Sequence, residues 1–258
     1  MLPTRFAVNG HFLKICRPKS GSYVDSGMPS RIRLALLLAP TWFAVTLALA
    51  AGPIGRAAPT PPSSRWNESI AAFAAADLRQ NVPAGGVLFI GSSSIRLWDD
   101  LETQFSALPV VIKRGFGGAR LSDCVHYLDR LVIPYRPRLV LVYAGENDLA
   151  EGETADDVLR QFTDFVEGVH AVLPQTRIAF ISIKPTPARL RLMAEIRQAN
   201  ALVRQYVATA PNTDFVDVFT PMLDSEGKPR RELFRADALH LNAKGYALWK
   251  SVIAPHLN

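Results

Sequence analysis

The sequence predicts an α/β protein in which a parallel sheet lies between two layers of helices, and three observations carry that prediction. Short, almost wholly apolar runs recur along the chain, most of them end in glycine or polar residues, and longer segments with apolar residues at helical spacing separate them. Runs of four or five apolar residues are too short for helices and suit strands buried on both faces. Strands alternating with helices build βαβ units, whose right-handed crossovers give a parallel sheet covered on both sides.

The elements follow one another from residue 65 onward. Residues 66–78 place Ile70, Phe73 and Ala74 on one helical face, and Asn81-Val82-Pro83 ends that helix. Val87-Leu88-Phe89-Ile90 is the first strand; it stops at Gly91, where the backbone is free to turn sharply and release Ser92, Ser93 and Ser94. A second strand over 109–112 runs into Gly115-Phe116-Gly117-Gly118, a loop with little side chain. A helix over 121–132 follows, with Cys124 among Leu121, Val125 and Leu128, and ends at Pro134. The third strand, 139–143, is wholly apolar and closes on Gly145-Glu146-Asn147-Asp148.

Thr154 and Asp157 form a capping box for the next helix, striped by Val158, Phe162, Phe165, Val166 and Val169 as far as Pro174. The fourth strand spans 177–183. A long amphipathic helix spans 188–208, on which Arg189, Arg191, Arg197 and Arg204 read as a solvated face. The fifth strand spans 214–218, a turn sits at Ser225-Glu226-Gly227, and Asp237-Ala238-Leu239-His240-Leu241-Asn242 leads into a last helix bearing Tyr246, Trp249, Val252 and Ile253.

Composition bounds the function. The chain has 258 residues, 48% of them hydrophobic and 20% charged, enough for one domain with a large core. Its net charge of +6 comes largely from the first 51 positions, where Arg5, Lys14, Arg17, Lys19, Arg31 and Arg33 face Asp25 alone. The remaining body is close to neutral, so nucleic acid is not an expected partner. From Leu34 an apolar run of 18 residues follows Arg31 and Arg33 and ends near Ala48-Leu49-Ala50, a small-x-small cleavage pattern. Residues 1–51 therefore read as a leader for export, with Met28 as the natural start of the signal and 1–27 as an extension. An uncleaved membrane anchor is the alternative, which Pro40 weakens. Residues 52–64, rich in proline, read as a linker, and 65–258 as the folded domain. With Cys16 in the leader, Cys124 is the body's one cysteine, so no disulfide forms within the body and Cys124 reads as a small buried hydrophobe.

Ligands of open α/β sheets bind at the carboxyl ends of the strands. No dinucleotide-type or phosphate-binding glycine motif and no Cys/His metal cluster is present, which leaves hydroxyl and imidazole chemistry and an expectation of no cofactor and no metal. Singly, each polar block has an ordinary explanation: serines cap helices, Asn-Asp pairs make turns, and a histidine sits satisfied in a core. Their joint occurrence in this order does not.

Together the blocks Gly91-Ser92-Ser93, Gly115-Phe116-Gly117-Gly118, Gly145-Glu146-Asn147-Asp148 and Asp237-Ala238-Leu239-His240 resemble the SGNH hydrolase superfamily, the GDSL-type lipases and esterases. The resemblance spans about residues 86–250. It implies a three-layer α/β/α fold with a mostly parallel, five-stranded, flavodoxin-like sheet, and hydrolysis of carboxylic esters through an acyl-serine. It implies Ser93 as nucleophile, His240 as its base and Asp237 as the residue that orients the imidazole. The oxyanion donors it implies are the amides of Ser93 and Gly118 and the side chain of Asn147. Ser92 stands where the family usually has aspartate, and with three consecutive serines Ser94 is the alternative nucleophile. Expected substrates are O-acetyl sugars, short acyl esters or lysophospholipids; acyl transfer and a non-catalytic glycan-binding module are the other readings.

Overall fold

The structure, a computed structural model, describes residues 64–80 and 82–258; the expected leader, nearly all of the linker and the helix-ending Asn81 lie outside the described residues. After one 3-10 turn, Ser64–Trp66, comes α1 (Asn67–Gln80), and then β1 (Val87–Gly91), α2 (Ser93–Arg96), α3 (Leu101–Gln104) and β2 (Val111–Gly115). These are followed by α4 (Leu121–His126), α5 (Leu128–Leu131), β3 (Leu139–Tyr143), α6 (Glu146–Ala150), α7 (Ala155–His170) and β4 (Arg177–Ile181). The chain closes with α8 (Met193–Val207), β5 (Thr213–Val216) and α9 (Ala243–Ile253).

The five strands form one sheet in the order β2-β1-β3-β4-β5, and every pairing is parallel. That is the expected flavodoxin-like order, with its switch point between β1 and β3. Every residue of β1 and β3 is buried, as a strand covered on both faces requires. Alternate residues serve two cores. Leu88, Ile90, Val140 and Val142 pack with Ile70, Phe162, Phe165 and Ile196 of the helices on one face. Val87, Phe89, Leu139 and Leu141 pack with Ile95, Leu101, Tyr246 and Trp249 on the other.

β4 and β5 end at Ile181 and Val216, short of the expected 183 and 218, and three further elements differ from the sequence reading. β2 lies at 111–115 rather than 109–112, because it is an edge strand that tolerates charge: Arg114 donates to Tyr135 Oη at 2.9 Å and pairs with Asp77, and Lys113 donates to the Trp98 carbonyl at 3.0 Å. The helix expected over 121–132 is two short ones, broken at Tyr127, whose ring meets Phe116 edge-on and whose hydroxyl reaches Asn67 at 3.1 Å. The helix expected from 188 begins only at Met193; before it stands a 3-10 stretch, Pro187–Leu192, with Arg189 at φ −124° and ψ 33°.

Gly91, Gly115 and Tyr143 are paired neighbours, so the three strands that carry the site end level with one another. Gly91 has φ +145°, and a Cβ placed on it would lie 1.9 Å from the Tyr143 carbonyl oxygen. Neither the backbone angle nor the space admits a side chain. Gly91→Ala is therefore expected to cost at least about 3 kcal/mol or to abolish folding, read as loss of a cooperative thermal transition; a wild-type melting curve would contradict this close approach.

Candidate active site

The strand end sets the first member of the site. Beyond Gly91, Ser92 adopts an extended conformation as the N-cap of α2 and donates its amide to the Tyr143 carbonyl at 3.0 Å. Ser93 is the first residue of α2, a helix of only 4 residues that cannot persist without packing. Packing is supplied from α2 inward: Ile95 and Trp98 are fully buried, Trp98 stacks on Tyr246 with ring centroids 5.0 Å apart, and Tyr246 donates to the Ser94 carbonyl at 3.0 Å. Helix α9 thus grips α2 from below and fixes the direction of Ser93.

The three serines differ in burial and partner. Ser92 and Ser94 are buried, and the Ser94 hydroxyl has no hydrogen-bond partner among the described residues. Ser93 is half-buried, and its Oγ lies 3.1 Å from His240 Nε2. The opposite ring nitrogen, Nδ1, lies 2.7 Å from Asp237 Oδ2. Asp237 is anchored in turn by accepting the backbone N–H groups of Leu239 and His240, each at 3.0 Å, on Oδ1. The His240 amide is the foremost cause holding this carboxyl well below the usual range. Ala238 turns the chain between acid and base at φ +58°. The line Ser93–His240–Asp237 has the connectivity that lets an imidazole take a proton from a hydroxyl while a carboxylate fixes its tautomer.

The other expected members lie at the same edge. The Phe116 amide donates to the Gly91 carbonyl at 2.9 Å, which holds the Gly115-to-Ala119 loop against the start of α2. Gly118, at φ +77°, stands in that loop, and its amide and that of Ser93 have no backbone acceptor among the described residues. Asn147, in the first turn of α6, donates Nδ2 to the Ala119 carbonyl at 3.0 Å and so touches the residue after Gly118. All five residues picked from the sequence, Ser93, Gly118, Asn147, Asp237 and His240, are placed where the first, second and third strands end and the last helix begins. An oxyanion formed at a strand end needs preorganised donors, and unpaired amides of this kind are one source of them.

Sequence reasoning missed the layer behind Asn147. Glu146 and Lys184 are fully buried and paired with one another, and the Tyr143 hydroxyl donates to Glu146 at 2.8 Å. Burial opposes the Glu146 charge, but Lys184 and then Arg189 outweigh it and hold the carboxyl below its usual range. Of Arg189, Arg191, Arg197 and Arg204, expected on one solvated helix face, Arg189 and Arg191 precede the helix; Arg191 is exposed, but Arg189 points inward to Glu146 and Asn147. The signal that could have found it is Pro187, which places residue 189 in a first helical turn where the chain need not be regular. Cys124 is buried as expected, with its thiol pushed up by desolvation, and His170 and His256 bond to Thr176 and Asp214. Among the described residues no group of His, Cys, Asp and Glu could hold a metal ion.

A family model of GDSL-like lipases and acylhydrolases matches residues 89–248. The chain belongs to the GDSL-like lipase/acylhydrolase family. It is a hydrolase acting on ester bonds. Human platelet-activating factor acetylhydrolase IB subunit alpha1 is similar to it, 29% identical over 169 residues that cover 62% of this chain and 70% of the relative. A GDSL-like lipase from Bacteroides thetaiotaomicron has the same fold, with a TM-score of 0.60 and 24% identity over 75% of this chain and 95% of the other. So has an acetylxylan esterase from Geobacillus stearothermophilus, with a TM-score of 0.58 and 14% identity over 69% of this chain and 95% of the other.

Asp148 closes the same corner from within. It is fully buried and accepts the amides of Leu121 and Gly145, each at 2.9 Å, tying α6 to α4. Desolvation nonetheless pushes its carboxyl up to about 7. An unfolded aspartate titrates at about 3.9, so between roughly pH 4 and 7 the folded chain keeps a proton that the unfolded chain has released. The stability this contributes is complete below pH 4 and disappears as pH rises through 7, a change on the order of 4 kcal/mol. Urea unfolding of the wild type across that range should show the fall, and Asp148→Asn should abolish its slope; parallel pH dependences in the two proteins would contradict a neutral Asp148.

Proposed function

We propose that this acylhydrolase is an exported serine esterase that cleaves carboxylic esters through an acyl-serine intermediate. Ser93 is the nucleophile, His240 its general base, and Asp237 the carboxylate that orients the imidazole. The amides of Ser93 and Gly118 and the Asn147 side chain are the oxyanion hole. One observation carries this reading: the unbroken line from Ser93 Oγ to His240 Nε2 at 3.1 Å and from His240 Nδ1 to Asp237 Oδ2 at 2.7 Å.

In the acylation step Ser93 Oγ attacks the ester carbon while His240 Nε2 takes the hydroxyl proton. The carbonyl oxygen becomes an oxyanion facing the three donors, which bind it more strongly than the ground-state carbonyl. His240 then passes the proton to the departing alcohol, and water, activated by the same imidazole, releases the acid. The base must be neutral to act.

The substrate class we propose is an ester of a short acyl group, carried by a sugar, a simple alcohol or a lysophospholipid. Its support is that two of the similar proteins are named for removing acetyl groups, one from platelet-activating factor and one from xylan. Export is supported by the apolar run from Leu34 with its basic flank and the Ala48-Leu49-Ala50 pattern.

Turnover of a chromogenic acetyl ester by the purified protein and its variants tests the assignment. Ser93→Ala and His240→Ala should each lower kcat by about 10⁴ to 10⁶, with the double variant no worse, because the two act as a unit. Asn147→Ala should cost about 10² to 10³ in kcat, and Asp237→Asn about 10⁴, through the wrong tautomer. Near-normal activity of Ser93→Ala would overturn the reading.

A further inference from the structure

Asn147 presents a problem of orientation. A primary amide carries N–H on one side and C=O on the other, and turned by half a revolution it would offer an oxyanion a carbonyl oxygen. Two contacts decide which way it faces. Nδ2 donates to the Ala119 carbonyl at 3.0 Å, and Oδ1 accepts from Arg189 Nη2 at 3.1 Å. Reversed, the amide would set oxygen against the Ala119 carbonyl and N–H against a guanidinium, exchanging two hydrogen bonds for two repulsive contacts. One of the two Nδ2 protons remains free in the observed orientation.

We infer that Arg189 is a positioning residue for ester hydrolysis, locking the Asn147 amide with its N–H toward the reacting carbonyl. This rests on the oxyanion role of Asn147 proposed above. A cation on the amide oxygen also draws electron density from the nitrogen, which strengthens the remaining N–H as a donor to a developing negative charge.

The guanidinium is itself held in place. Arg189 Nη1 donates to the Glu146 carbonyl at 3.0 Å and lies 3.3 Å from Glu146 Oε1. That carboxylate is buried and secured by Lys184 and the Tyr143 hydroxyl, so the arginine rests on a fixed anion. The Arg189 side chain is only 18% exposed. Its backbone is tied to the other half of the site: the Ala188 amide donates to the carbonyl of Ala238, at 3.1 Å, in the turn between Asp237 and His240. A segment of four residues, 186–189, therefore sets the Asn147 side chain through one contact and the acid–base turn through another. Loss of the regular helix at Arg189, with φ −124° and ψ 33°, is what aims the side chain inward.

Kinetics of single and double variants test this. Arg189→Met should lower kcat about 10- to 100-fold with KM changed less than about 3-fold, since the amide's contribution is made in the transition state. In the Asn147→Ala background the same change should cost nothing further, because there is no amide left to orient. Arg189→Lys keeps a cation opposite Glu146 but, with one ammonium group in place of a fork, does not bridge to Asn147. It should melt like the wild type and still lose about 10-fold in kcat. The inference is overturned if both Arg189 variants keep wild-type kcat, if the loss persists undiminished without Asn147, or if KM alone rises. If Asn147→Ala itself costs nothing, it is the oxyanion reading that fails.

Discussion

The site depends on one close approach, that of the Gly91 backbone to the Tyr143 carbonyl. Because no side chain stands at Gly91, β1 and β3 remain adjacent to their last residues, and the Ser92 amide can reach across to Tyr143 at 3.0 Å. The positions of Ser93 and Asn147 follow from that closure. It starts α2 one residue later, so Ser93 emerges at the switch point of the sheet. It also sets Asn147 four residues beyond Tyr143, on the neighbouring strand end. In a parallel sheet such strand ends are where the next element must turn away, which leaves amides without partners and room for a ligand.

A second constraint comes from the two cores. The face packed by α2, α3 and α9 carries an aromatic group of Phe89, Trp98, Phe105, Tyr246 and Trp249, with ring centroids mostly 5 to 6 Å apart. This apolar base is what allows so short a helix as α2 to hold Ser93, the proposed nucleophile, in place. The polar layer on the third and fourth strands has a different logic. Tyr143, Glu146, Lys184 and Arg189 are ionic or hydrogen-bonded groups at depth, where an unpaired charge is costly, so each fixes the others' positions. Such a network fixes geometry more than it adds stability.

Much of this was legible in the sequence because buried parallel strands announce themselves. The runs Val87-Leu88-Phe89-Ile90 and Leu139-Val140-Leu141-Val142 are apolar at every position, and the structure covers both faces of both. The edge strand β2 was misplaced for the converse reason: Lys113 and Arg114 interrupt the apolar pattern, and only tertiary partners make them acceptable there. The site blocks were legible through their order along the chain. The choice of Ser93 among the three serines rests on its contact with His240, 147 positions away, which no local pattern encodes. Arg189 was read as solvated because its spacing fits a helix; the kink that turns it inward is a property of the packed structure.

The central claim is that the hydroxyl of Ser93, deprotonated by His240, is the reacting group. Covalent labelling by a fluorophosphonate, followed by peptide mass mapping, tests it most directly. The account predicts one equivalent of label, carried by Ser93, at a rate that collapses in His240→Ala. Label on Ser92 or Ser94, or equal labelling of the wild type and the His240 variant, would contradict it.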